Sequence, residues 1–478
     1  MRSSRTTALG MAGALAVGLL AACSATGGTT SPTTPAAGSG TPGAPGPVTI
    51  TVAGTLPGAS QDNVDQLNAR VKEFEAKYPY ITVKPEEYLW TATTFTAQLA
   101  GGTLPTVFEI PVTDGKTLIQ NHQLADIDAQ VKADMPYYND FNPAIVGNAQ
   151  GADGKFYAVP AKNFYANALH INRNLFTQAG LDPNKPPTTW DEVRQDAKII
   201  HDKTGVWGYG QMANGATGGW QLAVDAASRG GSLETRNADG TYKANLTDPA
   251  VKASLQWLAG LAQDNSIDPD VSLDWAGANQ AFAAGQFAMF TSGSDVYNAM
   301  VQTNGMTKDW GYGLTAVPTE NGGGALGGGT LAAVKANATD AEKDAAVKWI
   351  DFWYLSKLRD QNQAVADAKV AVAAEQPEGT PVLPIFSKAL YQESLTWIQD
   401  YINVPLDNMK GYTDVMFSQP VIGEPSMATQ PIYTLLSPVV QAVLTDKNAN
   451  IDTLLGDANT QAQQAINQAA TASPTPGA

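Results

Sequence analysis

Three histidines, one cysteine and a set of loop aromatics are the residues from which this 478-residue chain could build chemistry. His122, His170 and His201 are scattered, and His170 lies in a buried-strand pattern that reads as core. No Gly-x-Ser-x-Gly elbow, His-Glu-x-x-His pair, P-loop or Cys-x-x-Cys occurs. Nucleophilic, metal and nucleotide chemistry therefore have no framework here, and no cofactor is expected. Carboxylate-pair catalysis stays open, since 45 acidic residues could assemble a pair, and recognition is the other chemistry these residues allow. Flat rings pack against C–H faces, while carboxylates, amides and bare N–H groups meet hydroxyls. Aromatics stand beside polar residues at several places outside the amphipathic runs. Trp90 follows "EEYL", and Glu109 closes a strand pattern with Thr113 and Asp114 in the next loop. Trp220 sits in "NGATGGWQLAVDAAS" and Trp275 in "DVSLDWAGANQAF". Gly327 to Gly329 can bring backbone N–H groups close to a ligand. Each has a plainer reading, as packing over a core edge or as a tight turn.

The elements that must position these residues alternate between strand and helix. "PVTITVAG" alternates Val48, Ile50 and Val52 and ends in glycine, the pattern of a strand. "DNVDQLNARVKEFEAKYP" repeats Val64, Leu67, Val71 and Phe74 at helical spacing, with Asp62 or Asn63 as cap and Pro79 as stop. Strands "YITVKPEEY" and "TVFEI" flank a short helix, "TTFTAQLAGG". Further on, Thr189 and Glu192 make a capping box. Trp190, Trp257, Trp349 and Trp353 fall on or beside apolar helix faces and read as packing residues. The alternation predicts an α/β fold on a mostly parallel sheet. The net charge of −16 argues against nucleic acid and anionic membrane surfaces as partners.

The lone cysteine, Cys23, closes the stretch "LGMAGALAVGLLAACS". Arg2 and Arg5 precede an uncharged apolar run from Leu9 to Ala22, the layout of a signal peptide over residues 1–22. Leu20-Ala21-Ala22-Cys23 resembles the bacterial lipobox, in which the cysteine thiol takes a diacylglyceryl group. At about 0.8 kcal/mol per buried CH₂, two acyl chains hold a protein stably at a membrane. Cys23 therefore reads as a lipid anchor. Residues 23–47 carry Gly, Pro, Ser, Thr and Ala without charge, a disordered tether with a reach of roughly 25–30 Å.

"DGKFYAVPAKNFYANALHINRNLFTQAGLDPNKPPTTWDEV" (153–193) resembles the signature of the extracellular solute-binding proteins, family 1, of ABC importers, in particular the sugar-binding branch. "AQLAGGTLPTVFEI" is similar to the family's helix–Gly–Pro–Asp–Val–Phe segment, with Thr106 where an aspartate is usual. "AFAAGQFAMFTSGSDVY", "YGLTAVPTENGGGALGGGTLAAV" and the closing "PVVQAVLTDKNANIDTLLGDANTQAQQAI" resemble further family segments, in the family's order.

The resemblance implies a two-lobed, type II periplasmic-binding-protein-like α/β fold. Its discontinuous lobes would be joined by crossover hinge segments: 48–160 with 331–392, and 161–330 with 393–470, followed by a disordered tail at 471–478. It also implies that Phe164 and Tyr165 line the cleft floor, that Asp295 and Tyr297 follow the glycine turn into it, and that Tyr433 borders it. With Trp90, Glu109, Trp220, Trp275 and Gly328 these form the expected ligand-binding set. The function so implied is capture of a sugar or oligosaccharide for a membrane permease by a monomeric lipoprotein on the outer face of the cell membrane. ATP hydrolysis would fall to another subunit. Receptors for polyamines, iron or peptides and an exported glycoside hydrolase are the alternatives; the paired tyrosines of "PYYND" (136–140) are the residues an iron reading would use.

Overall fold

The computed structural model describes residues 46–59, 61–90 and 92–472. The expected signal peptide, Cys23 and nearly all of the tether lie outside these residues, as does 473–478 of the expected tail.

The first strand, Val48–Ala53, buries Ile50 and Val52 completely. It pairs in parallel with Ile81–Glu86 and with Val107–Pro111. Helix Gln61–Lys77 buries Leu67, Val71 and Phe74, the stripe its spacing predicts. It starts at Gln61, so Asp62 and Asn63 occupy its first turn rather than its cap.

The nine-stranded sheet is mixed, not mostly parallel as the alternation suggests. The long strand Ala158–Asn172 and the glycine-bearing strand Ala325–Val334 run antiparallel to one another. The latter also runs antiparallel to Val107–Pro111. The cause is topological. One segment carries the chain from one hydrophobic core into another, and its neighbour brings the chain back. Ala158, Val159 and Ala161 belong to a core with Ile50, Phe108 and Trp349. Ala168, Leu169 and Ile171 belong to a second, with Trp190, Phe290 and Tyr433. The return strand divides likewise, Ala325 and Leu326 in the second core and Leu331 to Val334 in the first. A small separate cluster joins Ala364, Ala368 and Ile398.

The two long strands slip register where they pass between the cores. Phe164 faces Gly329 and Ala161 faces Thr330, which leaves Lys162 and Asn163 as a bulge. Lys162 takes the left-handed conformation, φ 49°. Such an insertion bends and twists a strand locally.

Local signals elsewhere translate directly. Thr189 and Glu192 form a reciprocal capping box on helix Trp190–Thr204. Trp190 is fully buried and donates its indole N–H to Ser228 Oγ at 3.0 Å. Trp257 donates to the Trp190 carbonyl at 2.9 Å. Trp349 is buried; Trp353 stacks on it at 5.5 Å while staying partly exposed. His170 is buried, with Nδ1 2.8 Å from the Tyr312 hydroxyl. Burial pushes its pKa down to about 3, which keeps it a neutral core residue.

Candidate functional site

Just beyond the bulge, Tyr165 lies over glycines on both neighbouring strands. A Cβ on Gly328, its partner across the sheet, would stand 2.3 Å from the tyrosine hydroxyl. One on Gly293 would stand 3.0 Å from the ring and 2.7 Å from Asp295 Oδ1. The glycines are thus required by close approach: any side chain there would displace Tyr165. Asp295 stands at the head of helix Val296–Asn304 without capping it through its side chain.

Trp220 meets the Tyr165 ring edge-on, 6.5 Å between centroids. It belongs to helix Gly215–Ser228, not to a loop before it. Gly218 and Gly219, which read as loop residues, serve helix packing instead. A Cβ on Gly219 would fall 2.1 Å from the Tyr433 carbonyl oxygen. Helix Thr429–Thr445 crosses there, and Ser437 Oγ accepts from the Gly219 N–H at 3.0 Å. Tyr433 on that helix is 1% exposed, and its hydroxyl has no hydrogen-bond partner.

Between these rings stands Glu424. The short strand Val421–Gly423 pairs in parallel with Ala325–Gly327 and delivers Glu424 at its carboxyl end. The following turn is pinned by Glu234, whose carboxylate accepts from the backbone N–H groups of Ser426 and Met427. Glu424 Oε1 accepts from the Trp220 indole at 3.1 Å. Its Oε2 is buried and has no partner. Burial pushes the carboxyl up to about 8; the Trp220 hydrogen bond opposes the shift and the charge of Asp114 adds to it.

Asp114 comes from the other core's side, in the first turn of helix Val112–Gln120. Burial raises its pKa to about 6, opposed by the Trp90 indole. That indole N–H is buried and makes no hydrogen bond of good geometry, and the Thr113 hydroxyl is likewise unpartnered. One turn further on, Thr117 Oγ1 donates to the Ser426 carbonyl at 3.4 Å, which ties this helix to the Glu424 turn.

The structure therefore gathers Trp220, Tyr165, Tyr433, Gly328 and Asp295, with Trp90 approaching beside Asp114. Three expected residues lie apart. Glu109 is committed to Lys162 Nζ at 2.5 Å and the Tyr354 hydroxyl at 2.8 Å. Phe164 is 1% exposed and packs into the first core, because alternate residues of a strand face opposite sides. Trp275 is 41% exposed in the first turn of its own helix, Trp275–Ala283. The sequence reading missed Glu424 and Glu234. The available signal for Glu424 was a short Val-Ile-Gly strand followed directly by a carboxylate, the position where α/β folds place ligand contacts.

A separate cavity of about 350 Å³ opens beside the bulge, with Lys162, Tyr354, Leu383 and Tyr391 in its wall. It shares no residue with the Trp220 cluster, and its Lys162 is already paired. The unpartnered buried polar atoms of Trp90, Thr113, Glu424 and Tyr433 make their cluster the candidate site. Among the described residues no group of histidines, cysteines and carboxylates could hold a metal ion.

The family model of the bacterial extracellular solute-binding proteins matches residues 69–375, well over half of the chain. The sn-glycerol-3-phosphate-binding periplasmic protein UgpB of Brucella melitensis is 24% identical over 318 residues, 64% of this chain and 70% of that protein. Its Agrobacterium fabrum counterpart is 25% identical over 338 residues, 68% of each chain. The cyclic alpha-maltosyl-1,6-maltose binding protein of Arthrobacter globiformis superposes with a TM-score of 0.65 at 24% identity, covering 89% of this chain and 99% of that one. The GacH receptor of Streptomyces glaucescens gives 0.66 at 18% identity, covering 88% and 99%. These likenesses carry the fold, the two-lobed type II architecture of periplasmic binding proteins. With the family match extending across both cores, the chain belongs to the bacterial extracellular solute-binding proteins.

Proposed function

We propose that this protein captures a sugar or oligosaccharide between its two lobes and delivers it to the permease of an ABC importer. The observation that carries the reading is the Trp220–Tyr165–Glu424 cluster, where rings and a carboxylate with an unused oxygen stand together next to the strands linking the cores. Rings offer platforms for C–H faces, and the open polar atoms offer partners for hydroxyls. Structural neighbours whose names mention maltose-type saccharides, acarbose and tagatose are consistent with it. The lobes are 48–160 with 331–392, and 161–330 with 393–470; Ala161 and Phe164, just past the first boundary, still pack into the core of the first lobe. Closure would turn on the Lys162–Asn163 bulge and the glycines opposite. Cys23 anchors the protein through lipid, and Cys23→Ser abolishes lipid labelling while leaving the folded body intact.

The test is a thermal-shift panel of mono- and oligosaccharides. A ligand at 100 times its Kd adds about 2.7 kcal/mol to stability and raises the melting temperature accordingly. A panel in which no saccharide shifts the transition removes the reading.

A further inference from the structure

Two carboxyls, Asp114 and Glu424, lie within electrostatic reach of one another, and neither forms an ion pair among the described residues. Asp114 arrives on helix Val112–Gln120 and Glu424 on the turn after Val421–Gly423, and the Thr117–Ser426 hydrogen bond holds these two elements together. No basic side chain is among the groups that shift either carboxyl; only the indoles of Trp90 and Trp220 lower them. Arg229 pairs with Glu320 at 3.0 Å and Lys162 with Glu109, while Lys116 reaches the pinning carboxylate Glu234 only through space. Glu424 accepts from Trp220 and acts electrostatically on Tyr165 and Tyr433, and Asp295 acts on Tyr165 in the same way. Tyr433 is an independent sign of a ligand. Its side chain is 99% buried by its 1% exposure, and its unpartnered hydroxyl lies within electrostatic reach of Glu424, Tyr165 and Glu234. Polar groups so buried normally have a partner.

We propose that the cleft selects a saccharide carrying a protonated amine, with Asp114 and Glu424 holding the ammonium between them. This deepens the sugar reading and rests on it. An ammonium supplies up to three donors, which Glu424 Oε2, Asp114 and the Tyr433 oxygen can accept. The ring faces of Trp220 and Tyr165 add attraction for a cation. A phosphate ester, the ligand named for the UgpB relatives, would meet two carboxyls here and would oppose their ionisation, whereas phosphate is ordinarily held by basic side chains. The burial that holds both carboxyls above the usual range supports the same choice. A cation entering the cleft favours their ionised forms, so binding releases protons.

The experiment is isothermal titration calorimetry on the full folded body with the unacetylated glucosamine disaccharide, its N-acetylated counterpart, cellobiose, glycerol 3-phosphate and spermidine. Each is run at pH 5.5, 6.5 and 7.5 in buffers of different ionisation enthalpy. The expected result is tighter binding of the glucosamine disaccharide than of either neutral disaccharide, by about tenfold or more. Its affinity should rise with pH, by about tenfold per unit for each proton released. Asp114→Asn should erase the preference; Asp114 is partly exposed, and circular dichroism verifies the fold of the variant. Neutral disaccharides that bind equally well without proton release overturn the inference and leave the sugar reading standing. Tighter binding of glycerol 3-phosphate overturns the inference. Binding of spermidine without any saccharide keeps the ammonium site and removes the sugar reading. Silence from every probe overturns both.

Discussion

Glu109, in the middle of strand Val107–Pro111 and not at its end as the sequence suggests, and Glu424, just past Val421–Gly423, are both acidic groups on the sheet that links the two cores, yet their surroundings differ. Glu109 is met by Lys162 and by the Tyr354 hydroxyl, and its side chain is 14% exposed. Glu424 has one indole N–H on one oxygen and nothing on the other. A carboxylate with its partners in place holds structure together. A carboxylate left half-satisfied in a buried setting destabilises the protein until something binds, because an unpaired buried acceptor costs about 1–3 kcal/mol. The contrast locates the site more sharply than any cavity does: the space beside Lys162 is roomy but its charge is already used.

The largest expected effect is on stability as a function of pH. The Glu424 carboxyl titrates near 4.5 in the unfolded chain and at about 8 in the folded protein. Between those values the native state keeps a proton that the unfolded chain has released. Its contribution is therefore present below about pH 4.5 and lost as pH rises towards 8, with a slope of at most about 1.4 kcal/mol per unit. Other raised carboxyls, Asp225 and Asp196 among them, add slopes of the same sign, so the informative quantity is a difference. Melting curves of the unliganded protein and of Glu424→Gln, taken from pH 5 to 9, should converge at low pH and separate in favour of the variant at high pH. Parallel curves would place Glu424 in the same class as Glu109.

Second in size is Trp220→Ala. The change removes a ring platform and the one hydrogen bond that the Glu424 side chain makes among the described residues, and a central aromatic of this kind is worth about 2 kcal/mol of affinity, roughly thirtyfold. Because Trp220 also packs against the second core, both melting temperature and saccharide affinity must be measured. A stability loss of about 3–5 kcal/mol with affinity intact would make it core packing.

Much of the fold is legible because its signals are local. The Thr189–Glu192 box, the buried stripe of helix Gln61–Lys77 and the core position of Trp190 all follow from residues within a few turns. Strand direction is not local: nothing within "GALGGGTLAAV" says that it returns between cores against Ala158–Asn172. The site divides in the same way. Tyr165, Trp220 and Tyr433 could be picked out as aromatics near glycines or turns. Glu424 could not be ranked, since its indole partner is 204 positions away and no aromatic neighbours it in sequence. Gly218-Gly219 misled in an instructive way. Glycine pairs mark loops when only the backbone is considered, but here a whole helix presses on them.

The smallest effect belongs to Glu109. In Glu109→Gln the amide oxygen can still accept from Tyr354, while Lys162 loses its counter-ion. Lys162 is 42% exposed in its side chain and turns to water, so the cost is about 0.5–1 kcal/mol. Chemical denaturation should register that loss, and it should shrink in high salt, which screens the native pair. Saccharide affinity is the deciding measurement. If Glu109 serves the bulge only, the variant binds within about twofold of the parent, a change worth under half a kcal/mol. A tenfold loss would mean that the carboxylate leaves Lys162 when ligand arrives, and the division between a satisfied and a waiting carboxylate would then hold only for the unliganded protein.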